Sequence, residues 1–155
     1  MFTVSCSEQM QCPPAVVFAF AGDYRNDPKW RSGVLSMEYQ TAGPPGIGTR
    51  TREVMRSMGR TAVTIGEITE YSAARTAFRS LSGPVACDGS REFAGSPSGT
   101  LFTYSLTLRP AGTLRLLEPL LRWIFRRQIR QDLRRLKGQL EAPTQAWPPQ
   151  DAQPT

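Results

Sequence analysis

The sequence predicts an α+β domain in which a curved seven-stranded antiparallel sheet wraps a long C-terminal helix, with two short helices closing a cavity. Three observations carry that expectation. Seven strand-like runs are separated by turn signals across the first 108 residues. After the first run an apolar block behind Pro13-Pro14 reads as a short helix, because proline is tolerated in a first helical turn. From Thr113 the apolar period switches to the 3/4 spacing of an amphipathic helix and keeps it to Leu140. One helix cannot cover such a sheet unless the sheet curves around it, and a curved sheet leaves a space at one end that is the default ligand site.

The first strand is expected over residues 2–9, with Phe2, Val4 and Cys6 on one side and Thr3, Ser5 and Ser7 on the other. The short helix spans about 13–21. The breaker cluster of residues 22–28 then leads to Trp30 through a second helical turn capped by Asn26 or Asp27. A second strand follows over 35–40, then a Gly/Pro loop over 42–48. Five more strands are expected over 49–57, 60–70, 76–81, 85–93 and 100–108, antiparallel to their neighbours because the connections are short. The last is the clearest, with Phe102, Tyr104, Leu106 and Leu108 alternating against Thr103, Ser105 and Thr107. Leu117, Leu121, Ile124, Phe125, Ile129, Leu133, Leu136 and Leu140 form the helix stripe, opposite Arg122, Arg126, Arg130, Arg134 and Lys137. Counted from Pro119, that helix is about 33 Å long. Residues 142–155 hold four prolines and no period, so the domain is read as 1–141 with a disordered Pro-rich tail.

The 155 residues include no histidine, which excludes His-based acid/base catalysis, His metal sites and Ser-His or Cys-His nucleophile pairs. Cys6, Cys12 and Cys87 are odd in number and lack CxxC spacing, so neither a disulfide framework nor a Cys-only zinc site is expected. They suit a reducing, cytoplasmic setting. The first residues lack a basic start and an apolar run, and no stretch reaches the roughly 18 apolar residues of a membrane span. Net charge is +6, concentrated in the C-terminal helix, where seven arginines and one lysine face three acids. No nucleic-acid motif accompanies those arginines, so nucleic acid is not the expected partner.

Several segments are more specific. Cys12-Pro13-Pro14-Ala15-Val16-Val17-Phe18-Ala19-Phe20, with Asp23, Pro28 and Trp30 behind it, is one. Gly46-Ile47-Gly48-Thr49-Arg50, Ile68-Thr69-Glu70-Tyr71, and Leu136-Lys137 with Leu140-Glu141 are the others. Together they make residues 1 to about 141 resemble the START-like (SRPBCC) superfamily of polyketide cyclases/dehydrases, lipid-transfer proteins and pollen-allergen-like ligand binders. The resemblance implies a helix-grip fold with a cavity for a small hydrophobic or amphipathic molecule. No cofactor or metal is expected. Members share the cavity rather than a mechanism, so a carrier, sensor or sequestering role stands beside a cyclase/dehydratase-type enzyme. A third alternative is a surface- or partner-binding protein using the Arg-rich helix face.

Strand parity supplies candidate site residues. Burying three unpaired arginines would be costly, so Arg50, Arg52 and Arg56 are expected to face water and Glu53 the interior. The same reasoning puts Val63, Ile65, Glu67 and Tyr71 on one face of the fourth strand, and Cys87, Arg91 and Phe93 on one face of the sixth. Inward Glu53 or Glu67 could serve as a general base, and a carboxylate beside Arg91 could hold a polar head group. The alternative is a structural ion pair or an outward turn at a bulge. Gln128 and Asp132 lie four residues apart within the helix stripe, facing either the cavity or its solvent edge. Trp30, Phe78, Phe93, Phe102 and Tyr104 are expected as aromatic core or cavity lining.

Overall fold

In the computed structural model, which describes residues 1–142, the seven runs become strands β1 (Phe2–Met10), β2 (Val34–Tyr39), β3 (Arg50–Ser57), β4 (Arg60–Tyr71), β5 (Arg75–Ser82), β6 (Ala86–Ser96) and β7 (Gly99–Arg109). Between β1 and β2 lie α1 (Pro14–Val17), continuing into a π turn (Phe18–Gly22), a 3₁₀ turn (Tyr24–Asn26) and α2 (Asp27–Trp30). A second 3₁₀ turn (Gly112–Leu117) leads into the 23-residue α3 (Glu118–Leu140). The Pro-rich tail expected from 142 onward lies outside the described residues apart from its first.

All neighbouring strands are antiparallel, in the order β1-β7-β6-β5-β4-β3-β2. The sheet curls into a half-barrel that holds α3. β1 and β2 are therefore opposite edges, and the chain between them must cross from one edge to the other. That crossing makes α1 and α2 the cover over one end of the curled sheet. Two register shifts in the β4–β5 pairing, at Ile65/Gly66 and Ile68/Glu70, and one between β2 and β3 mark bulges, which bend and twist a sheet locally.

The outer face of the β1–β7 pair explains its alternating Ser and Thr residues. Thr3 meets Thr107, Ser5 meets Ser105 and Ser7 meets Thr103, hydroxyl to hydroxyl at 2.8–2.9 Å. On the inner face Phe2, Val4, Cys6, Phe102, Tyr104, Leu106 and Leu108 are buried. Trp30, Phe93, Phe102 and Tyr104 pack with Val17 and Ala21 of the cover and with Leu133, Leu136 and Leu140 of α3. Trp30 meets both Phe102 and Tyr104 edge-on at 6.1 Å between ring centroids. Full burial of each such side chain is worth about 1.5–3 kcal/mol, so the covered end is a filled core. Toward the N-terminal half of α3 the filling stops, and Leu121 and Phe125 are only half-buried.

The fourth strand corrects the parity expectation. Ala62, Thr64, Gly66 and Ile68 face inward, while Val63 is 42% exposed on the outside. The bulge at Ile68/Glu70 then returns Tyr71 to the inner side, where it packs with Tyr24 and Ile68. Glu67 accordingly stands on the outer surface, where Arg79 donates to it at 3.2 Å.

Candidate functional site

Beyond the filled end lies a cavity of about 380 Å³ between the first half of α3 and the inner faces of β3 to β7. Met37, Met55, Phe78, Leu106, Leu108 and Phe125 form much of its apolar wall. Its rim combines Met58 and Arg60 from the β3–β4 turn, Pro84 and Val85 from the β5–β6 turn, and Pro110 and Leu114 after β7. Close backbone approach shapes the wall at Gly89, which lies opposite Phe78 in the β5–β6 pair. A β-carbon there would come within 2.7 Å of the Phe78 ring and 2.8 Å of the Ser105 carbonyl oxygen.

The inner end is polar. Tyr24, Asp27, Arg31, Glu53 and Arg91 all reach the cavity wall. The wholly buried Asp27 accepts through Oδ2 from Arg31 Nη1 at 2.9 Å and from Arg91 Nη2 at 2.6 Å. The same Arg31 nitrogen donates to Glu53 Oε2 at 2.5 Å, and Arg91 Nη1 donates to the Ala21 carbonyl at 2.7 Å. The Arg91 guanidinium also sits 4.0 Å from the centre of the Tyr24 ring, in cation–π range. Two guanidiniums thus face two carboxylates, and the group is electrically neutral. Burial works against the Arg31 cation, but Glu53, Tyr104 and Asp27 outweigh it and hold its pKa well above the ordinary value. The same opposition, with Asp27 dominant among the favourable neighbours, raises the pKa of Arg91.

Four buried polar atoms have no hydrogen-bond partner among the described residues: Asp27 Oδ1 and Arg91 Nε, on residues of the cavity wall, and Trp30 Nε1 and Tyr104 OH, in the adjoining core. Burial, countered by Arg31 and Arg91, pushes the Tyr104 phenol up to about 12, so it remains a protonated donor at neutral pH. Unpartnered atoms of this kind are ordinarily satisfied by ordered water or by a ligand's polar group.

The structure gathers Glu53, Phe78 and Arg91 at the cavity wall. It places Trp30, Phe93, Phe102 and Tyr104 in the core beneath α1 and α2 rather than along the wall, because those short helices fill that end. Glu67 is outside. Gln128 and Asp132 hold backbone instead. Gln128 Nε2 donates to the Ser32 carbonyl at 3.0 Å, and Asp132 Oδ1 accepts from the Ser32 amide at 2.9 Å and hydroxyl at 2.8 Å. They clamp the turn after α2 to α3. Burial raises the Asp132 pKa, against the Ser32 hydrogen bonds and the nearby Arg31 and Arg135. The residues that sequence reasoning missed are Tyr24, Asp27 and Arg31. The four-residue spacing of Asp27 and Arg31, which puts them on one face of a helical turn, was the available signal.

The model of the family described as polyketide cyclase / dehydrase and lipid transport matches residues 1–141. The chain belongs to that family. Solved structures agree on the START-like, helix-grip fold. A Thermus thermophilus protein, TTHA0849, superposes with a TM-score of 0.77 at 23% identity, covering 90% of this chain and 97% of the other. The Zhui aromatase/cyclase from Streptomyces sp. R1128 gives 0.75 at 18% identity, covering 94% and 96%. A START superfamily protein from Mycobacterium smegmatis gives 0.74 at 13%, covering 90% and 97%. No curated relative matches the chain. Among the described residues no helix is long and apolar enough to cross a membrane.

Proposed function

We propose that this member of the family binds a small amphipathic molecule, such as a lipid or polyketide-like compound, in the cavity, as a carrier, sensor or sequestering protein. The observation that carries this reading is the cavity's polarity gradient. An apolar wall formed by Met37, Met55, Phe78, Leu106, Leu108 and Phe125 ends at the Asp27–Arg31–Glu53–Arg91 group. Affinity would come from apolar burial at about 25 cal/mol per Å², before ordering costs. Orientation would come from a polar head directed at the inner end. Because that end is already neutral, an uncharged hydroxyl, carbonyl or phenol fits better than a lone carboxylate, which would add an unbalanced buried charge.

The test is native mass spectrometry of protein purified without detergent, followed by organic extraction. A reproducible bound mass that leaves with solvent is expected, and Thr64→Trp, which projects a ring into the cavity from β4, should abolish it while leaving the fold intact. A retained mass in Thr64→Trp would put the ligand elsewhere. A second reading, a cyclase- or dehydratase-type enzyme, is favoured by one observation: Glu53 reaches the cavity wall, held through Oε2 by Arg31. As a general base Glu53 would act on substrate in the cavity. Glu53→Gln should then lower turnover by about 10²-fold or more, and an unchanged rate would remove Glu53 from the chemistry. Glu67, on the outer surface, has no part in this reading.

A further inference from the structure

The rim of the cavity continues onto a surface of unusual composition. Met58 on the β3–β4 turn is 76% exposed, Leu116 83% and Trp123 58%, with Leu114, Leu117 and Leu120 also exposed between them. At 100° per residue, Leu120, Trp123, Arg127, Arg130 and Arg134 fall on one outward face of α3. The apolar members sit at the end next to the cavity mouth and the arginines continue away from it. Trp123 lies in a shallow groove with Arg126, Arg127, Arg130 and Arg134. None of those four forms an ion pair among the described residues, whereas nearby Arg122 is held by Glu118.

We propose that this surface docks the protein onto an anionic phospholipid bilayer, with the leucines and Trp123 entering the headgroup region and the α3 arginines contacting lipid phosphates, so that the cavity mouth opens at the membrane. The chemistry matches that occupant. Exposed leucine and tryptophan beside free arginines on a helix are the signature of an interfacial segment. Positive charge without fixed acidic partners is complementary to an anionic leaflet. An apolar rim at the entrance of an apolar cavity lets a hydrophobic molecule pass between bilayer and interior without crossing water. An acidic protein is the competing occupant; the bilayer is favoured because Leu114 belongs both to the exposed row and to the cavity lining, so the apolar surface runs into the entrance of an apolar cavity.

Flotation with vesicles distinguishes them, using the full chain and two compositions, phosphatidylcholine alone and an equimolar mixture with phosphatidylglycerol. Binding is expected to the mixture and not to phosphatidylcholine alone, and to weaken with added salt as surface charges are screened. Arg127→Gln with Arg130→Gln should reduce partitioning roughly 25-fold, the loss of about 1 kcal/mol for each basic residue. Leu116→Asp with Leu120→Asp should abolish it. All four side chains are exposed, and an unchanged circular dichroism spectrum and unfolding midpoint would show that the fold is kept. Absence of flotation with the mixture overturns the proposal, as does binding that both double variants retain. Variant-sensitive association with an acidic protein in the absence of vesicle binding would reassign the surface to that class of partner. The vesicle readout needs no ligand in the cavity. Its failure would leave a bound, extractable mass standing, and an empty cavity would leave flotation standing.

Discussion

Replacing Asp27 by Asn tests whether charge balance holds the inner end of the cavity together. Asp27 is fully buried and its Oδ2 takes hydrogen bonds from both Arg31 and Arg91. Together with Glu53 it balances two guanidiniums, so removing its charge leaves one buried cation without a counterion. Taking one partner from a buried ion pair costs about 3–5 kcal/mol, and Asn keeps a carbonyl acceptor, which places the expected loss near 3 kcal/mol. At about 2–4 °C per kcal/mol for a domain approaching this size, the unfolding midpoint should fall by roughly 6–12 °C. Arg91→Met alone should also destabilise, because it leaves the opposite charge in excess. The double variant restores neutrality through Arg31 and Glu53, and its loss should be smaller than the sum of the two single losses by at least about 2 kcal/mol. Urea unfolding with a constant slope, together with calorimetry, measures all four corners of this cycle. An Asp27→Asn loss under about 1 kcal/mol, or strict additivity, would refute the reasoning.

Three further predictions address the neighbouring elements. Because the Asp132 pKa is raised, the folded state binds the proton more tightly than the unfolded chain. This group's contribution to stability is therefore greatest below a carboxyl's ordinary pKa and declines as pH rises through the raised one. Asp132→Asn, which preserves an acceptor for Ser32, should flatten that limb of the stability–pH curve in urea titrations, whereas Asp132→Ala should cost about 1–3 kcal/mol by orphaning the Ser32 amide. Gly89→Ala should destabilise by about 1–3 kcal/mol and displace Phe78, read as a lower unfolding midpoint and a changed ligand retention. Phe102→Ala should cost about 3–5 kcal/mol in urea unfolding while any bound mass persists in the surviving folded fraction, because Phe102 is core rather than cavity wall. Loss of the ligand without loss of stability would return Phe102 to the site.

What can be read from the sequence depends on whether a face is packed or hollow. On β7 the inner residues are large and apolar and the outer ones carry hydroxyls, so the period reads directly. On β3 the arginines fix the outer face by their own cost of burial, which leaves Glu53 pointing inward. On β4 the same logic fails for Glu67. The inner residues Ala62, Thr64 and Gly66 border a cavity, and a cavity wall does not demand bulk. Val63 and Ile65, apolar but outward, supply the misleading pattern. The bulge between Ile68 and Glu70 then changes the parity within the strand, a two-against-one pairing that a single sequence does not announce. Whether Trp30, Phe93, Phe102 and Tyr104 line a space or fill one turns on how far α1 and α2 descend into the curled sheet, a tertiary distance invisible in local period. Gln128 and Asp132 show the same limit from the helix side. Their inward position follows from the stripe, but the group they meet, the Ser32 backbone, is about a hundred residues away in sequence. Local chemistry thus locates some of the buried polar groups, Arg91 and Asp132 among them, and misses Asp27 and Arg31; only the packing of distant elements decides whether each faces a ligand, a partner or the backbone.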